Sequence, residues 1–196
     1  MYKTIFKPFV DFLGALFLLP FVLLVIAIFG PIIYFTDRGP IFYNGERVGK
    51  NFRIFRMFKL RSMYVNAPDL RNADGSTFNS ANDPRVTPIG RFLRKTSLDE
   101  FPQFLNVLIG DMSLIGPRPI LPKNDYSEME EYLKDMMKVK PGITGYNQAY
   151  FRNSVDRLQK YKNDAFYARN ISFKMDVKIV IQTIFSVIGR KNINTN

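Results

Sequence analysis

FLGALFLLPFVLLVIAIFGPIIYF, Phe12–Phe35, carries no charged side chain. At 1.5 Å of rise per helical residue this run is long enough to cross ~30 Å of hydrocarbon. Core helices are seldom apolar on all faces over such a length, so the run predicts a membrane-inserted helix. It is too long for the apolar stretch of a cleaved leader, and no small-x-small site stands before the polar segment that follows. Two prolines interrupt it. Pro20 cannot donate to the Leu16 carbonyl and crowds it, which predicts a kink or break. Gly30-Pro31 predicts a second break that ends the helix. Lys3 and Lys7 precede the run, and Arg38, Arg47 and Lys50 follow it. Basic flanks on both sides suit a helix that turns back within one leaflet. A short tail with two lysines can also be translocated, so the residues leave a spanning course open.

Outward from this segment, the 196-residue chain is long enough to bury a core beside a membrane segment. Its net charge of +11 points to an anionic partner: a phosphate-bearing substrate, an acidic lipid surface or nucleic acid. The chain has no cysteine and no histidine. That excludes disulfides, thiol nucleophiles, imidazole bases and zinc sites built on Cys or His. Chemistry here falls to carboxylates, Lys or Tyr, and any metal would be a hard, oxygen-ligated ion such as Mg²⁺.

From Asp37 to Arg71 eight basic residues face three acidic ones. Directly after a membrane segment, such a basic surface suits anionic headgroups. Asn44-Gly45 gives a hairpin signal, and FRIFRMFKL alternates as a strand with Lys59 near its end. Asn66–Pro88 reads as a long polar loop without calcium-loop spacing. Ile89–Arg94 predicts a short helix, and Asn124–Lys140 a charged amphipathic one. Pro141-Gly142 suits a type II turn. Ser172 caps a last helix that runs to Ile188 before Gly189. Its row of Val177, Ile181, Ile184, Phe185 and Ile188 predicts a core-facing side, with a membrane-surface helix as the alternative.

TSLDEFPQFLNVLIGDMSLIGPRP, Thr96–Pro119, carries the densest chemistry. Ser97 as N-cap with Glu100 at N3 makes a capping box. Pro102 would then need an N–H it lacks, so the helix more comfortably starts nearer Asp99. Either register puts Asp99 and Glu100 at a helix N-terminus, where free N–H groups attract phosphates. Consecutive helical residues project about 100° apart, so one carboxylate can face a metal and phosphate while the other positions or deprotonates. A carboxylate can also attack phosphorus itself. Arg94 lies five residues earlier. Arg118, between Pro117 and Pro119, is stiffly presented and suits bidentate phosphate binding, although a lone PRP is more often a solvated turn.

These pieces together resemble the bacterial sugar transferases, specifically the small monotopic phosphoglycosyl transferases. The resemblance rests on VDFLGALFLL, RVG at Arg47–Gly49, FKLRSM at Phe58–Met63, RFLRKTSLDEFPQFLNVLIGDMSLIGPRP, KPGITG at Lys140–Gly145 and ARNISFKMDVKIVIQTI. It covers nearly the whole chain. It implies transfer of a phospho-sugar from a UDP-sugar to undecaprenyl (polyprenol) phosphate at the cytoplasmic face of the bacterial inner membrane. The products are a polyprenol diphosphate sugar and UMP, the first membrane step of polysaccharide or glycoconjugate assembly. The implied route is ping-pong through a covalent aspartyl phospho-sugar, assisted by Mg²⁺. Asp99 matches the nucleophile and the metal contact, and Glu100 its catalytic partner. Lys59, Arg94, Pro117, Arg118 and Pro119 match substrate-binding positions, with Gln148 and Arg152 as weaker matches. The family's membrane segment is a broken, re-entrant helix. It breaks at a Ser-Pro pair that this chain lacks, and Phe151 stands where a small residue is usual, so no particular sugar carries over.

The fold expected is therefore α+β, mostly helical. Residues 1–36 form a re-entrant membrane segment, and residues 37–196 a cytoplasmic catalytic domain with a short β-hairpin and amphipathic surface helices. Membrane phospholipid is an expected partner and nucleic acid is not; a homodimer is left open. The competing function is a non-enzymatic, membrane-anchored basic module that binds acidic lipids, in which SLDE is merely a cap.

Overall fold

The computed structural model describes residues 1–70, 78, 80, 82–122, 126, 130–152 and 154–188. A π-helical turn, Tyr2–Phe6, runs into helix α1, Lys7–Asp37. α1 continues through Pro20 and Pro31 and ends seven residues past Gly30, so the expected stop at Gly30-Pro31 does not occur. Arg38 closes it in the left-handed region (φ 55°), donating its N–H to the Tyr34 carbonyl. Packing explains how the helix survives two prolines. Lys7, Asp11, Ala15, Val22, Gly30 and Ile33 are buried along one stripe, and tertiary contacts on that side outweigh the two missing backbone bonds. The opposite side exposes Phe9, Phe12, Phe17, Phe21, Leu24 and Phe35. Among the described residues α1 and its leading turn form the one helix long and apolar enough to cross a membrane.

Strands β1, Gly45–Val48, and β2, Ile54–Met57, pair antiparallel with Gly45 opposite Met57. Asn44-Gly45 leads into β1 and is not the turn. The turn falls at Lys50–Phe52, where Asn51 and Phe52 both have positive φ. The Asn51 N–H donates to the Met137 carbonyl at 2.7 Å, and this tertiary bond outweighs the local signal. α2, Pro88–Thr96, is capped by Thr87, whose Oγ1 accepts from the Gly90 N–H at 2.9 Å. A short α3, Gln103–Leu108, leads to β3, Ser113–Ile115. β3 pairs in parallel with β4, Gly142–Thr144, so Pro141-Gly142 enters a strand instead of a type II turn. Gly142 lacks the positive φ that such a turn requires.

α4 spans Glu130–Met136; residues 124–125 and 127–129 of the predicted Asn124–Lys140 helix lie outside the described residues, as do 71–77, 79 and 81 of the predicted loop. α5, Tyr146–Tyr150, α6, Arg157–Arg169, and α7, Phe173–Ile188, complete a mostly helical α+β fold with two small sheets. Ser172 caps α7 as expected, its Oγ accepting from the Met175 N–H at 3.3 Å. The orientation of α7 is the reverse of the prediction. Ile179, Asp176 and Ser186 face inward, while Val177, Ile181, Ile184 and Phe185 are exposed. The apolar row misled because the inner side is occupied by polar groups with partners: the Tyr167 hydroxyl donates to Asp176 Oδ1 at 2.7 Å, and the Ser186 hydroxyl to the Ala149 carbonyl at 2.9 Å.

Four apolar clusters tie these parts together. Two of them flank the SLDE stretch: Ala15 of α1 packs with Phe55, Met57, Val107 and Met112, and Ile33 of α1 packs with Leu60 and Leu93.

Candidate active site

The site is assembled from backbone ties. After β2 the chain runs extended, and Leu60 bridges Phe42 on one side. On the other side the Leu60 N–H donates to the Asp99 carbonyl at 2.9 Å. Asn106 of α3 is fully buried; its Oδ1 accepts from the Phe58 N–H at 2.8 Å, and its Nδ2 donates to the Arg56 carbonyl at 2.9 Å. These bonds lay Phe58–Leu60 against Leu98–Glu100 and bring Lys59 to the two carboxylates.

The capping box does not form. Ser97 takes a left-handed conformation (φ 58°) and closes α2, and its side chain caps nothing. Asp99 and Glu100 sit in a 3₁₀ turn, Leu98–Glu100, and α3 begins only after Pro102. Proline's missing N–H falls where no helical bond is needed.

The Lys59 ammonium stands 2.8 Å from Asp99 Oδ2 and 3.3 Å from Glu100 Oε1. Asp99 is only 2% exposed, while the Glu100 side chain keeps 35% of its surface open at the mouth of the site. Asp99 Oδ2 has the ammonium nearby but no well-directed hydrogen bond, so it retains acceptor capacity. Burial pushes the Asp99 carboxyl above the usual range, more strongly than Lys59 pulls it down. Burial acts the same way on Glu100, but Lys59 and then Arg118 outweigh it and hold that carboxyl low. On Lys59, burial works against the charge; Glu100 and Asp99 overcome it and raise its pKa. Two neighbouring carboxylates are thereby pushed apart in basicity, which separates their chemical roles.

Arg94 projects from the last turn of α2, half-buried, its Nε donating to Ser62 Oγ at 2.9 Å. Burial lowers its pKa, with Asp99 acting in the opposite sense. The GPRP and KPGITG motifs are the two halves of one parallel ladder. The Gly116 N–H donates to the Thr144 carbonyl at 2.9 Å, and the Gly142 N–H to the Pro117 carbonyl at 2.9 Å. A Cβ at Gly116 would lie 2.4 Å from the Lys140 carbonyl oxygen, and one at Gly142 would lie 2.0 Å from the Gly116 nitrogen. Only glycine permits that backbone approach. Pro117 is buried and Pro119 half-buried, with Arg118 exposed between them. The Arg118 charge reaches Glu100 and Lys59.

Gln148 lies in α5 and Arg152 just past its end. Gln148 Oε1 is buried without a partner beside Gly145. Arg152 has a positive φ of 49°, and its N–H donates to the Asn147 carbonyl at 2.8 Å. Among the described residues neither is bonded to Asp99 or Glu100.

Three residues that the sequence did not single out hold this arrangement: Ser62, Asn106 and Asp164. Asp164 of α6 is buried, and its Oδ2 accepts the Arg118 N–H at 3.1 Å. Its signal in the sequence is faint: an acid among Ala165, Tyr167 and Ala168, the buried side of α6.

Among the described residues no cluster of three or more acidic side chains could cage a metal. A hard ion held by one or two carboxylates and by substrate phosphates fits the donors present, Asp99 Oδ2 and the Glu100 carboxylate.

Residues 2–190 match the family described as bacterial sugar transferase. The chain is 40% identical over 168 residues to the "Undecaprenyl-phosphate galactose phosphotransferase" of Salmonella typhimurium, covering 79% of this chain and 34% of that protein. It is 41% identical over 157 residues to the "UDP-glucose:undecaprenyl-phosphate glucose-1-phosphate transferase" of Escherichia coli, covering 76% of this chain and 33% of that protein. It is 36% identical over 190 residues to the "Uncharacterized sugar transferase EpsL" of Bacillus subtilis, covering 96% and 90%. The chain thus spans about a third of the two longer relatives and most of the third. With a match running almost from end to end and an SLDE turn joined to a GPRP–KPGITG ladder, this chain belongs to the bacterial sugar transferase family.

Proposed function

We propose that the chain is a phosphoglycosyl transferase that moves a phospho-sugar from a UDP-sugar to undecaprenyl phosphate. The observation that carries this reading is the Asp99–Lys59–Glu100 cluster: a buried carboxylate oxygen with acceptor capacity to spare, held beside an ammonium and a second, more acidic carboxylate. The names of the Salmonella and Escherichia relatives, which specify undecaprenyl phosphate as acceptor, agree with it.

Asp99 Oδ2 attacks the phosphorus that bears the sugar. The bond from that phosphorus to the bridging oxygen breaks, and UMP leaves with the electron pair. In the second half, an oxygen of undecaprenyl phosphate attacks the same phosphorus. The Asp99 oxygen–phosphorus bond breaks, the carboxylate returns, and the sugar leaves as a lipid diphosphate. Lys59, Arg94 and Arg118 offset the charge of the phosphates, and a stiff Pro117–Arg118–Pro119 segment presents its fork without ordering a loop. Glu100, the lower-pKa carboxylate at the open mouth, positions the acceptor phosphate. Mg²⁺, held by Asp99 and the substrate phosphates, would reduce the repulsion between a carboxylate and a phosphate anion. Gln148 and Arg152 fall outside this core and are assigned to the rim of the donor site.

The enzyme is proposed to sit in one leaflet, with its catalytic domain on the cytoplasmic face. Both ends of α1 are bound by the same globular domain. At the start, Asp11 accepts from the Ser113 hydroxyl at 2.6 Å, and Lys7 lies 3.1 Å from Asp176 Oδ2. At the end, Asp37 receives two bonds of 2.6 Å from the Arg61 guanidinium. A straight crossing of ~30 Å would carry one set of these polar ties into or beyond hydrocarbon.

The test is UMP release from UDP-sugars by the full chain, with and without Mg²⁺. Release should require the ion, and Asp99→Asn should all but abolish it while the melting temperature holds. Intact-mass analysis with the UDP-sugar alone should show one phospho-sugar added to an Asp99 peptide. Normal turnover by Asp99→Asn, or a chain that never gains that mass, overturns the assignment.

A further inference from the structure

Between α5 and α7 runs a groove of about 360 Å³, with Tyr146 and Tyr150 on one wall, Ser172, Lys174 and Lys178 on the other, and Ile179 below. We propose that this groove binds the headgroup of an anionic phospholipid such as phosphatidylglycerol.

Charge comes first. Lys174 and Lys178 are one helical turn apart on the same side of α7 and are both exposed. Among the described residues no carboxylate pairs with either. The nearest acid in sequence, Asp176, is turned inward and held by Lys7, Tyr2 and Tyr167. The outward field at the groove is therefore positive.

The surroundings are what separate a lipid from a free anion. Beside the two lysines, α7 exposes Phe173 (63%), Val177, Ile181 and Phe185 (66%). The Phe173 ring meets Tyr2 edge-on at 5.9 Å, which continues this apolar surface onto the start of α1, where Ile5, Phe6 and Phe9 are exposed. A bound inorganic ion has no use for such a border. A phospholipid places its phosphate on the ammoniums and the beginning of its acyl chains on the apolar face. The two tyrosines, apolar rings with polar tips, suit that boundary. The inference rests on the membrane association of α1 and does not depend on phosphoryl transfer.

The experiment is native mass spectrometry of the full chain in detergent, titrated separately with dihexanoyl phosphatidylglycerol, dihexanoyl phosphatidylcholine, inorganic phosphate and undecaprenyl phosphate. One phosphatidylglycerol should be retained in preference to phosphatidylcholine. At roughly fivefold per lysine, Lys174→Gln with Lys178→Gln should weaken that retention by about 30-fold. The Lys174→Arg, Lys178→Arg pair should keep it. So should Lys138→Gln with Lys162→Gln, which removes the same charge elsewhere on the exposed surface. Equal loss in that control pair, or equal retention of phosphatidylcholine, reduces the effect to general electrostatics or detergent exchange and overturns the proposal. Inorganic phosphate or undecaprenyl phosphate held in preference to phosphatidylglycerol overturns the choice of occupant. UMP release is read in parallel, so a chain that holds the lipid but lacks transfer leaves this site standing and removes only the catalytic reading.

Discussion

Asp164→Asn should stabilise the chain, and by more as the pH rises. Asp164 is 3% exposed, Arg118 is the charged group that acts on it, and its Oδ1 has no partner. Burial pushes its carboxyl up to about 7, against an ordinary value of 3.8. The folded chain therefore keeps a proton that the unfolded chain gives up between those two values. Stability from this group is complete below the unfolded value and is lost as the pH climbs through the folded one. A difference of about three pKa units amounts to roughly 4 kcal/mol by pH 8, of which about 2.5 kcal/mol is lost between pH 5 and pH 8. Asparagine keeps an oxygen for the Arg118 N–H, 3.1 Å away in the wild type, and does not titrate. At ~2–4 °C per kcal/mol for a chain of this size, the gap in melting temperature between variant and wild type should open by about 5–10 °C over that range. Circular-dichroism melts in one detergent at pH 5, 6, 7 and 8 measure it. A constant offset from the new amide cancels in the comparison. A gap that stays flat to within ~1 kcal/mol would mean that Asp164 is solvated and ionised throughout, and the reasoning from its burial would fail.

Three further outcomes follow from the site and from α1. Lys59→Met removes the cation that restrains Asp99, so the acidic limb of the kcat/KM profile should move to higher pH; an unmoved limb separates Lys59 from the nucleophile. Asn106→Leu leaves the Phe58 N–H and the Arg56 carbonyl without their partner, at about 1–3 kcal/mol each, and should lower both the melting temperature and the rate of UMP release. A melting temperature within 1 °C of wild type would show that Asn106 does not hold the Lys59 strand. Lys3→Cys introduces the sole thiol of a chain without cysteine. It should react with a membrane-impermeant maleimide only in inside-out vesicles, and labelling of intact cells from outside would reject the one-leaflet course.

Much of the site was legible because its signals are local. Asp99 and Glu100 are adjacent, and Pro117 and Pro119 stiffen Arg118 by covalent geometry alone. Lys59 could be suspected from the end of a strand pattern, but its distances to Asp99 and Glu100 could not. They depend on the Leu60–Asp99 backbone bond and on Asn106, contacts between segments about forty to fifty residues apart. Asp164 was missed for the same reason: an aspartate in a helix gives no sign that it will accept the amide of Arg118, forty-six residues away. The errors share one cause as well. Ser97 fits a capping box, Asn44-Gly45 a hairpin turn and Pro141-Gly142 a type II turn, each by rules that consider a few neighbours. In each case a tertiary bond or a packed strand was worth more than the local preference.

By itself the sequence determined a long apolar helix, a chemistry without histidine or cysteine, a strongly basic surface and a pair of carboxylates next to a stiff arginine. Composition and covalent geometry fix these whatever the chain does next. Tertiary structure alone decided that α1 survives both prolines, that the apolar row of α7 faces outward, and that one lysine stands between the two carboxylates. The physical reason is that burial and long-range hydrogen bonds come from segments brought together only on folding. A periodic pattern reports that a helix has two unlike sides, and says nothing about which of them meets the protein.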